Sequence, residues 1–360
     1  MGSPRRQESL DGLRGLAALS VFVFHVWSHP LGDPSTQSRD GFLAFVGSEL
    51  HLGLLLFFVL SGFLLYRGFA GKIREEGKPD LRRYLKRRAA RILPAYYVAI
   101  LGSIALLWGS NIPGLTLPPP GDLPLFAVFA QNYSTDAHQT LDGPTWTLCV
   151  EVGFYLLLPL LAVALLRLRA GLGFQALAIA ALGAFGLLWS LGCYLAGADL
   201  IWQKMLPVWL PYFAFGMGVA LWHEYSAEDR RLSSRATALG VGAGLGLVVA
   251  NAIFKAQGIN STFAHVVGDL PAGAGFALLV AMALVGAGAA TVWMRLRWLA
   301  GLGIVSYGFY LWHMPLILFL RELHPAGGFI TTLALSAPLA LLLAVLSWRL
   351  VEQPALRRAG

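Results

Sequence analysis

Charge and cysteine are both scarce in this sequence. Only 13% of its 360 residues are Asp, Glu, Lys or Arg, whereas 57% are hydrophobic. This balance suits a multispanning membrane protein rather than a soluble domain. The two cysteines, Cys149 and Cys193, both fall within apolar runs, so we expect buried thiols and no disulfide framework. The sequence is instead rich in long apolar segments.

Apolar runs of about 20 residues recur from end to end, and each can cross a hydrocarbon core about 30 Å thick. Backbone in lipid must satisfy its own hydrogen bonds, so these runs are predicted to be helices. We expect residues 1–360 to form one integral membrane domain with no fused soluble domain. The predicted fold is an all-α, polytopic transmembrane bundle of about ten spans, at residues 11–29, 50–69, 91–109, 145–166, 173–195, 205–223, 236–254, 270–291, 299–320 and 328–349.

The net charge of +8 is distributed as expected for a membrane topology, and we expect no nucleic-acid partner. If the N-terminus is cytoplasmic, most of the 27 basic residues fall in cytoplasmic connections. Those that fall outside are Arg39, Lys204, Lys255 and Arg321. We therefore predict cytoplasmic N- and C-termini and a multi-pass protein of the bacterial inner membrane. Gly240, Gly242, Gly244 and Gly246, within one span, are expected to allow close helix packing.

The first span carries Asp11, Arg14 and His25, although a charge at bilayer depth costs about 2.5–3.5 kcal/mol on insertion scales. Asp11 can pair with Arg14 three residues later. Arg14 and His25 are separated by about three helical turns, so they share a face about 16 Å apart. The structural alternative is a snorkelling Asp–Arg pair beside a His that is satisfied within the bundle.

Two later spans carry further polar groups. Glu151 has no Lys or Arg within four residues, so its partner must come from another span, and a His is the natural candidate. Ser306, Tyr310 and His313 recur at intervals of four and three residues, which places them on one helical face. The alternatives are a buried structural pair for Glu151 and an aromatic packing stripe for the other set.

On the predicted topology His25, Glu151 and His313 all lie in the outer half of the membrane. A His can take a proton from a hydroxyl near neutral pH, and a carboxylate can orient it. These groups suit acyl transfer. The candidate catalytic residues are His25, Glu151, His313 and Tyr310. Zinc is a rival because His25 and His29 are four residues apart, but a third ligand at fitting spacing is missing and we expect no metal.

The connection at residues 72–91 is densely basic. It is either an anchor at lipid headgroups or an anion site for a phosphate-rich cosubstrate. Arg88 and Arg91 would share one helix face, an arrangement that suits phosphate.

Together these segments resemble the acyltransferase-3 family of integral membrane O-acyltransferases, over almost the whole chain. The motifs occur in the family's order: Leu10-Asp-Gly-Leu-Arg14 with His25 following, Phe57-Phe-Val-Leu-Ser-Gly62-Phe-Leu, Arg87-Arg-Ala-Ala-Arg91-Ile-Leu-Pro94-Ala-Tyr96, Trp146-Thr-Leu-Cys-Val-Glu151, Ser306-Tyr-Gly-Phe-Tyr310-Leu-Trp-His313 and Glu352-Gln-Pro354. The resemblance implies a bundle of about ten helices that moves an acyl group, often acetyl from acetyl-CoA, onto a sugar or other hydroxyl. The family's arginine–histidine pair falls on Arg14 and His25, and its paired arginines fall on Arg88 and Arg91.

The sequence departs from the family pattern in the fourth span. Thr147, Cys149 and Val152 stand where the family usually has Ser, Ser and a second Glu, although Glu151 is retained. Some family members also carry a C-terminal esterase-like domain, and we expect none here, which leaves the acceptor open.

We therefore expect acetyl-CoA or another acyl-CoA to place its phosphates on the 72–91 connection and its pantetheine arm past Asp11 and Arg14. His25 would then act as general base on a hydroxyl of a carbohydrate, glycolipid or macrolide-like acceptor. In a variant, His25 is acylated first. The alternative from another class is a proton-coupled transporter or flippase of a hydrophobic or glycosylated solute.

Overall fold

The computed structural model describes residues 4–29, 41–107, 117–138, 140–226, 231–256, 266–323 and 328–359. Within these ranges the chain is helical and contains no strand, so the all-α prediction is confirmed. The α-helices are α1 Pro4–Ser28, α2 Phe42–Glu49, α3 Gly53–Arg74, α4 Leu81–Leu107, α5 Leu123–Ala127, α6 Trp146–Arg167, α7 Leu172–Leu195, α8 Leu200–Gln203, α9 Leu206–Tyr225, α10 Ser234–Ala256, α11 Leu270–Val285, α12 Arg297–Ile304, α13 Ser306–Leu323, α14 Phe329–Ser347 and α15 Gln353–Ala359.

Eight helices in the described residues are long and apolar enough to cross a membrane, and the number is ten if each of two bent helix pairs is one span. This agrees with the predicted ten spans and with a multi-pass integral membrane protein. Two predicted spans are interrupted: 270–291 breaks after Val285, and 299–320 breaks at Val305, between α12 and α13. The cytoplasmic location of both termini stays a prediction.

The basic connection predicted at 72–91 is partly helical. α3 continues to Arg74, and α4 starts at Leu81, so the last eleven residues of the connection form the first turns of α4. Arg88 and Arg91 therefore lie on a helix, as their spacing predicted.

Contacts divide the chain into two compact units. The first comprises Met1–Ala17, Leu52–Pro79 and Gly153–Ile304. In it α3 packs on α9, α9 also packs on α7, and α10 packs on α11. A Cβ at Gly62 would collide with the backbone of Phe213, and one at Gly216 with the backbone of Val59, so α3 and α9 approach at backbone distance.

The glycine series of α10 packs as predicted at alternate members. A Cβ at Gly240 would lie 2.5 Å from Sδ of Met282, and one at Gly244 would lie 2.9 Å from the carbonyl oxygen of Gly275, both on α11. A Cβ at Gly242 or Gly246 would meet nothing within 4 Å. Residues four apart share a helix face, so only one face of the series contacts α11.

The second unit comprises Ala18–His51, Asp80–Val152 and Val305–Gly360. Within it α13 packs on α14, and α4 packs on α13, on α15 and on the π-helical segment Trp348–Glu352. This unit contains the candidate catalytic side chains.

The outer face of α7 is apolar and exposed: Leu177, Leu188 and Leu195 are 64%, 66% and 70% accessible. Such a surface is stable in lipid and would be costly in water, which agrees with a membrane location.

Candidate active site

His25, near the end of α1, and His313, in the middle of α13, form a direct hydrogen bond within the second unit. Nδ1 of His25 lies 2.9 Å from Nε2 of His313, and the ring centroids are 4.9 Å apart. His313 is only 1% exposed, whereas His25 is half-buried. His25 is therefore the more exposed member of the pair.

The other nitrogen of His313 sets the direction of this bond. Nδ1 of His313 faces the backbone carbonyl oxygen of Tyr310, which can only accept, so this nitrogen must carry hydrogen. In a neutral His313 ring Nε2 is then an acceptor, and the hydrogen between the rings belongs to Nδ1 of His25. When both rings are neutral, the lone pair of His25 is on Nε2, as a general base requires.

Tyr310 connects α13 to the start of α6. Its hydroxyl donates to the carbonyl of Pro144 at 2.8 Å and lies 2.8 Å from Oγ1 of Thr147. Thr147 is one of the departures from the family pattern, and its hydroxyl is in direct contact with a candidate catalytic residue. The predicted face of Tyr310 and His313 is thus a polar connection between helices and more than an aromatic packing stripe.

Glu151 lies one turn beyond Thr147 on α6 and therefore on a similar side of that helix. Its charge acts electrostatically on the Tyr310 phenol. The ring partner that the structure gives to His25 is His313, and a role for Glu151 in orienting His25 stays a prediction.

Asp142, just before α6, is a buried acid that sequence reasoning missed. The residue is 1% exposed, and neither carboxylate oxygen has a hydrogen-bond partner among the described residues. Burial raises its pKa well above the usual 3.8. Its charge, when present, acts on the phenols of Tyr96 and Tyr310, which places it beside the candidate site. An isolated acid next to an apolar run was the available signal in the sequence.

The predicted donor end of α1 belongs to the first unit. Nη1 of Arg14 lies 3.6 Å from Oδ1 of Asp11, which confirms the expected pair, and Gln7 donates to the same carboxylate at 3.2 Å. The Arg14 side chain is 30% exposed, so its charge is only partly desolvated. α1 runs unbroken through Arg14 and His25, as their shared face requires.

Arg88 and Arg91 have different surroundings. Arg91 pairs with Oε2 of Glu352 at 2.9 Å and lies over the rings of Tyr307 and Trp348, at 5.7 and 5.4 Å from their centroids. Glu352 is fully buried and also accepts from Ser347 at 3.2 Å. The charge of Arg91 is thus already neutralised by a residue of the C-terminal Glu352-Gln-Pro354 motif. Arg88 is half-buried and has no ion pair with a described residue.

No group of three or more His, Cys, Asp or Glu among the described residues could hold a metal ion. His29 is near the pair, with its ring centroid 6.3 Å from that of His25, and its Nδ1 lies 2.9 Å from Oγ of Ser28.

These features define a class: a multi-pass helical membrane protein with a partly accessible histidine supported by a buried one. The chain belongs to the acyltransferase-3 family of integral membrane O-acyltransferases. The family's sequence model, described as an acyltransferase domain, matches residues 7–349.

Curated relatives align over the same region. O-acetyltransferase OatA of Staphylococcus aureus (strain NCTC 8325 / PS 47) is 24% identical over 375 residues, which cover 100% of this chain and 58% of the relative. Nodulation protein 10 of Rhizobium leguminosarum bv. viciae is 28% identical over 379 residues, covering 99% of this chain and 95% of the relative. Peptidoglycan O-acetyltransferase OatA of Listeria monocytogenes is 24% identical over 202 residues, which cover 53% of this chain and 30% of the relative. The chain thus spans little more than half the length of the Staphylococcus relatives, and no solved structure matches it.

Proposed function

We propose that this protein is a membrane O-acyltransferase that moves an acyl group, in the first instance acetyl, from acyl-CoA to a hydroxyl of a glycan, glycolipid or glycosylated or macrolide-like small molecule. Membership of the family supports the reaction class. Relatives named O-acetyltransferase and peptidoglycan O-acetyltransferase support acetyl as the group and a glycan as the first acceptor to test. The observation that carries the proposal is the hydrogen bond between His25 and His313.

In the proposed reaction, Nε2 of His25 takes the proton of the acceptor hydroxyl while the hydroxyl oxygen attacks the thioester carbonyl carbon. The new C–O bond forms, the C–S bond breaks, and the CoA thiolate leaves with a proton returned by His25. The transient imidazolium keeps donating through Nδ1 to Nε2 of His313. His313 is thus a positioning residue that fixes the tautomer of the base, in the manner of the third member of a triad.

The remaining predicted residues have supporting roles in this proposal. Tyr310 supplies the carbonyl that fixes the tautomer of His313, and Glu151, when ionised, acts on the Tyr310 phenol beside it. Asp11, Arg14 and Arg88 are proposed to contact the donor. Arg91 is already paired with Glu352, so in any contact with the donor its charge would be partly neutralised by that pair. In the two-step version, Nε2 of His25 attacks the thioester first and passes the acyl group on.

The first test measures acceptor-dependent thiol release and label transfer from labelled acetyl-CoA by the purified protein, with a panel of glycans, lipid-linked glycans and hydroxylated macrolides. We expect His25→Ala to reduce transfer about 10²- to 10⁴-fold, since that is the usual contribution of a general base. His313→Gln should reduce it less and shift the pH profile of kcat, because His25 remains but loses its tautomer partner.

His223→Gln is the matched control, since His223 is a half-buried histidine on α9 of the first unit. It should leave transfer unchanged. Wild-type rates in a folded His25→Ala variant would exclude both the direct and the two-step version. Solute flux without thiol release would favour the transporter alternative.

A further inference from the structure

The first unit contains a cavity of about 160 Å³, and the charged residues among its described lining are all arginines. Three arginines line it, Arg6, Arg231 and Arg295, together with Ser9 and Thr291. Among the described residues that line it, none has an acidic side chain. The volume is well above the roughly 10–15 Å³ that one water molecule requires.

Close packing and backbone hydrogen bonds bring the three arginines to one cavity. A Cβ at Gly12 would collide with the backbone of Met294, so the first turns of α1, which carry Arg6 and Ser9, lie against the 3₁₀ segment Ala289–Arg295. The backbone N–H of Leu232 donates to the carbonyl of Val285 at 3.0 Å, which fixes Arg231 beside the end of α11. The cavity is therefore built from three separate parts of the sequence.

The turn between α11 and the 3₁₀ segment forms the cavity wall. Gly288 has φ +87°, a conformation that L side chains rarely adopt. The N–H groups of Gly286 and Ala287 are already used, by the carbonyl of Met282 at 2.8 Å and by Oγ1 of Thr237 at 3.0 Å. These two N–H groups are therefore not available to a ligand, whereas the lining arginines offer positive charge.

Unlike three other arginines, the arginines that line the cavity have no carboxylate partner among the described residues. Arg14, Arg74 and Arg91 each pair with a carboxylate, at 3.6, 3.2 and 2.9 Å. None of Arg6, Arg231 and Arg295 forms an ion pair with a described residue. Three like charges around one cavity repel each other, and a multiply charged anion between them removes that cost.

We propose that this cavity is a binding site for a phosphate or diphosphate group. Arginine binds phosphate oxygens through two parallel N–H groups, and the hydroxyls of Ser9 and Thr291 add polar contacts. The topology predicted from the sequence puts all three arginines on the cytoplasmic side, where acyl-CoA is available. The phosphates of the donor are therefore the first source, an assignment that rests on the proposed function; an anionic lipid headgroup offers the same chemistry.

The experiment measures binding of pyrophosphate and of coenzyme A by titration calorimetry, at fixed ionic strength, to the full chain in phosphatidylcholine nanodiscs. We expect Arg231→Gln and Arg295→Gln each to weaken both probes about tenfold or more, and the double variant to weaken them further. Arg295→Lys keeps the charge and should retain more affinity than Arg295→Gln. Arg235→Gln is the control, because Arg235 is an exposed arginine at the start of α10 that does not line the cavity.

A second arm uses nanodiscs that contain phosphatidylglycerol. If lipid headgroups occupy the cavity, wild-type affinity for pyrophosphate should fall there, and the double variant should show no such dependence. Equal binding of both probes by the wild type and the double variant, with no effect of phosphatidylglycerol on either, would overturn the site. If the double variant also transfers acyl groups normally, the proposed function stands without this site. If the wild type transfers nothing but binds pyrophosphate through Arg231 and Arg295, the site stands and the proposed function fails.

Discussion

In the proposed site at His25 and His313, a histidine ring stands where many hydrolytic sites have a carboxylate. A carboxylate would stabilise an imidazolium strongly through its charge, whereas a neutral ring mainly fixes the tautomer and the orientation. Negative charge in this region comes instead from Glu151 and Asp142 when each is ionised, and both act on Tyr310. In the proposed site, the group that would orient the base is thus separate from the groups that would supply negative charge.

Asp142 gives a pH-dependent contribution to stability. In the unfolded chain it ionises near the usual 3.8, whereas burial raises its pKa in the folded protein, so the folded state binds the proton more tightly. Stability should therefore fall as pH rises from below 3.8 toward the raised pKa and stop falling above it. Asp142→Asn removes this contribution while keeping the shape. Thermal unfolding of both proteins in detergent, from about pH 4 to about pH 8, measures the difference.

Asp136→Asn is the control for that comparison. Asp136 is exposed in the same connection, so its substitution should leave the pH dependence as in the wild type. A stability difference between the wild type and Asp142→Asn that does not change with pH would contradict the assignment.

Residue spacing predicts which side chains of the candidate site share a helix face, but it does not predict which side chains contact each other. The four- and three-residue intervals of Ser306, Tyr310 and His313 place them on one face, and α13 confirms this. Depth in the membrane suggested Glu151 as the partner of His25, and several spans present groups at the same depth. The actual ring partner depends on which helices are neighbours, and sequence periodicity does not contain that information.

At the scale of elements, two motifs that mark the family are explained by packing. Gly62 allows α3 to approach the backbone of Phe213 on α9, and Glu352 of the last motif binds Arg91 of α4. Breaking such a buried pair typically costs about 3–5 kcal/mol, because it leaves an uncompensated charge. These motifs thus position helices and need not touch substrate.

The close approach at Gly62 predicts a large difference between two glycines of the same helix. Gly62→Ala should lower the free energy of unfolding by about 1–3 kcal/mol, because a methyl group would force the two backbones apart. Gly68→Ala should be neutral or stabilise by about 0.5–1 kcal/mol, since a Cβ there meets nothing within 4 Å and alanine favours the helix. Unfolding midpoints of the two purified variants test this. Equal destabilisation by both substitutions would contradict the prediction, because only the Cβ added at Gly62 meets α9.

The ends of elements were less predictable than their existence. The span predicted at 145–166 matches α6, Trp146–Arg167, almost residue for residue. The breaks after Val285 and at Val305 were both missed. At Val305 the helices on the two sides are similarly apolar. At the first break the decisive feature is a backbone turn, with Gly288 at φ +87°, and hydropathy does not report backbone conformation.

For the whole molecule, the distribution of Lys and Arg predicts a cytoplasmic C-terminus. Connections rich in Lys and Arg stay on the cytoplasmic side. If the N-terminus is cytoplasmic and the number of spans is even, the C-terminus is cytoplasmic as well. A green fluorescent protein fused after Gly360 should fluoresce, and alkaline phosphatase fused there should be inactive, in a bacterial host. Active phosphatase without fluorescence would mean that the number of spans is odd or that the chain is inverted.

The exposed face of α7 has a consequence for the kind of bilayer that suits this protein. Its 24 residues extend about 36 Å, which exceeds the roughly 30 Å of a typical hydrocarbon core. Because few of its neighbours are protein, the excess length must be taken up by tilting the helix or by thickening the adjacent lipid, at a cost of a fraction of a kcal/mol per Å. The thickness of the surrounding membrane is therefore one of the factors that determine the orientation of α7 relative to the rest of its unit.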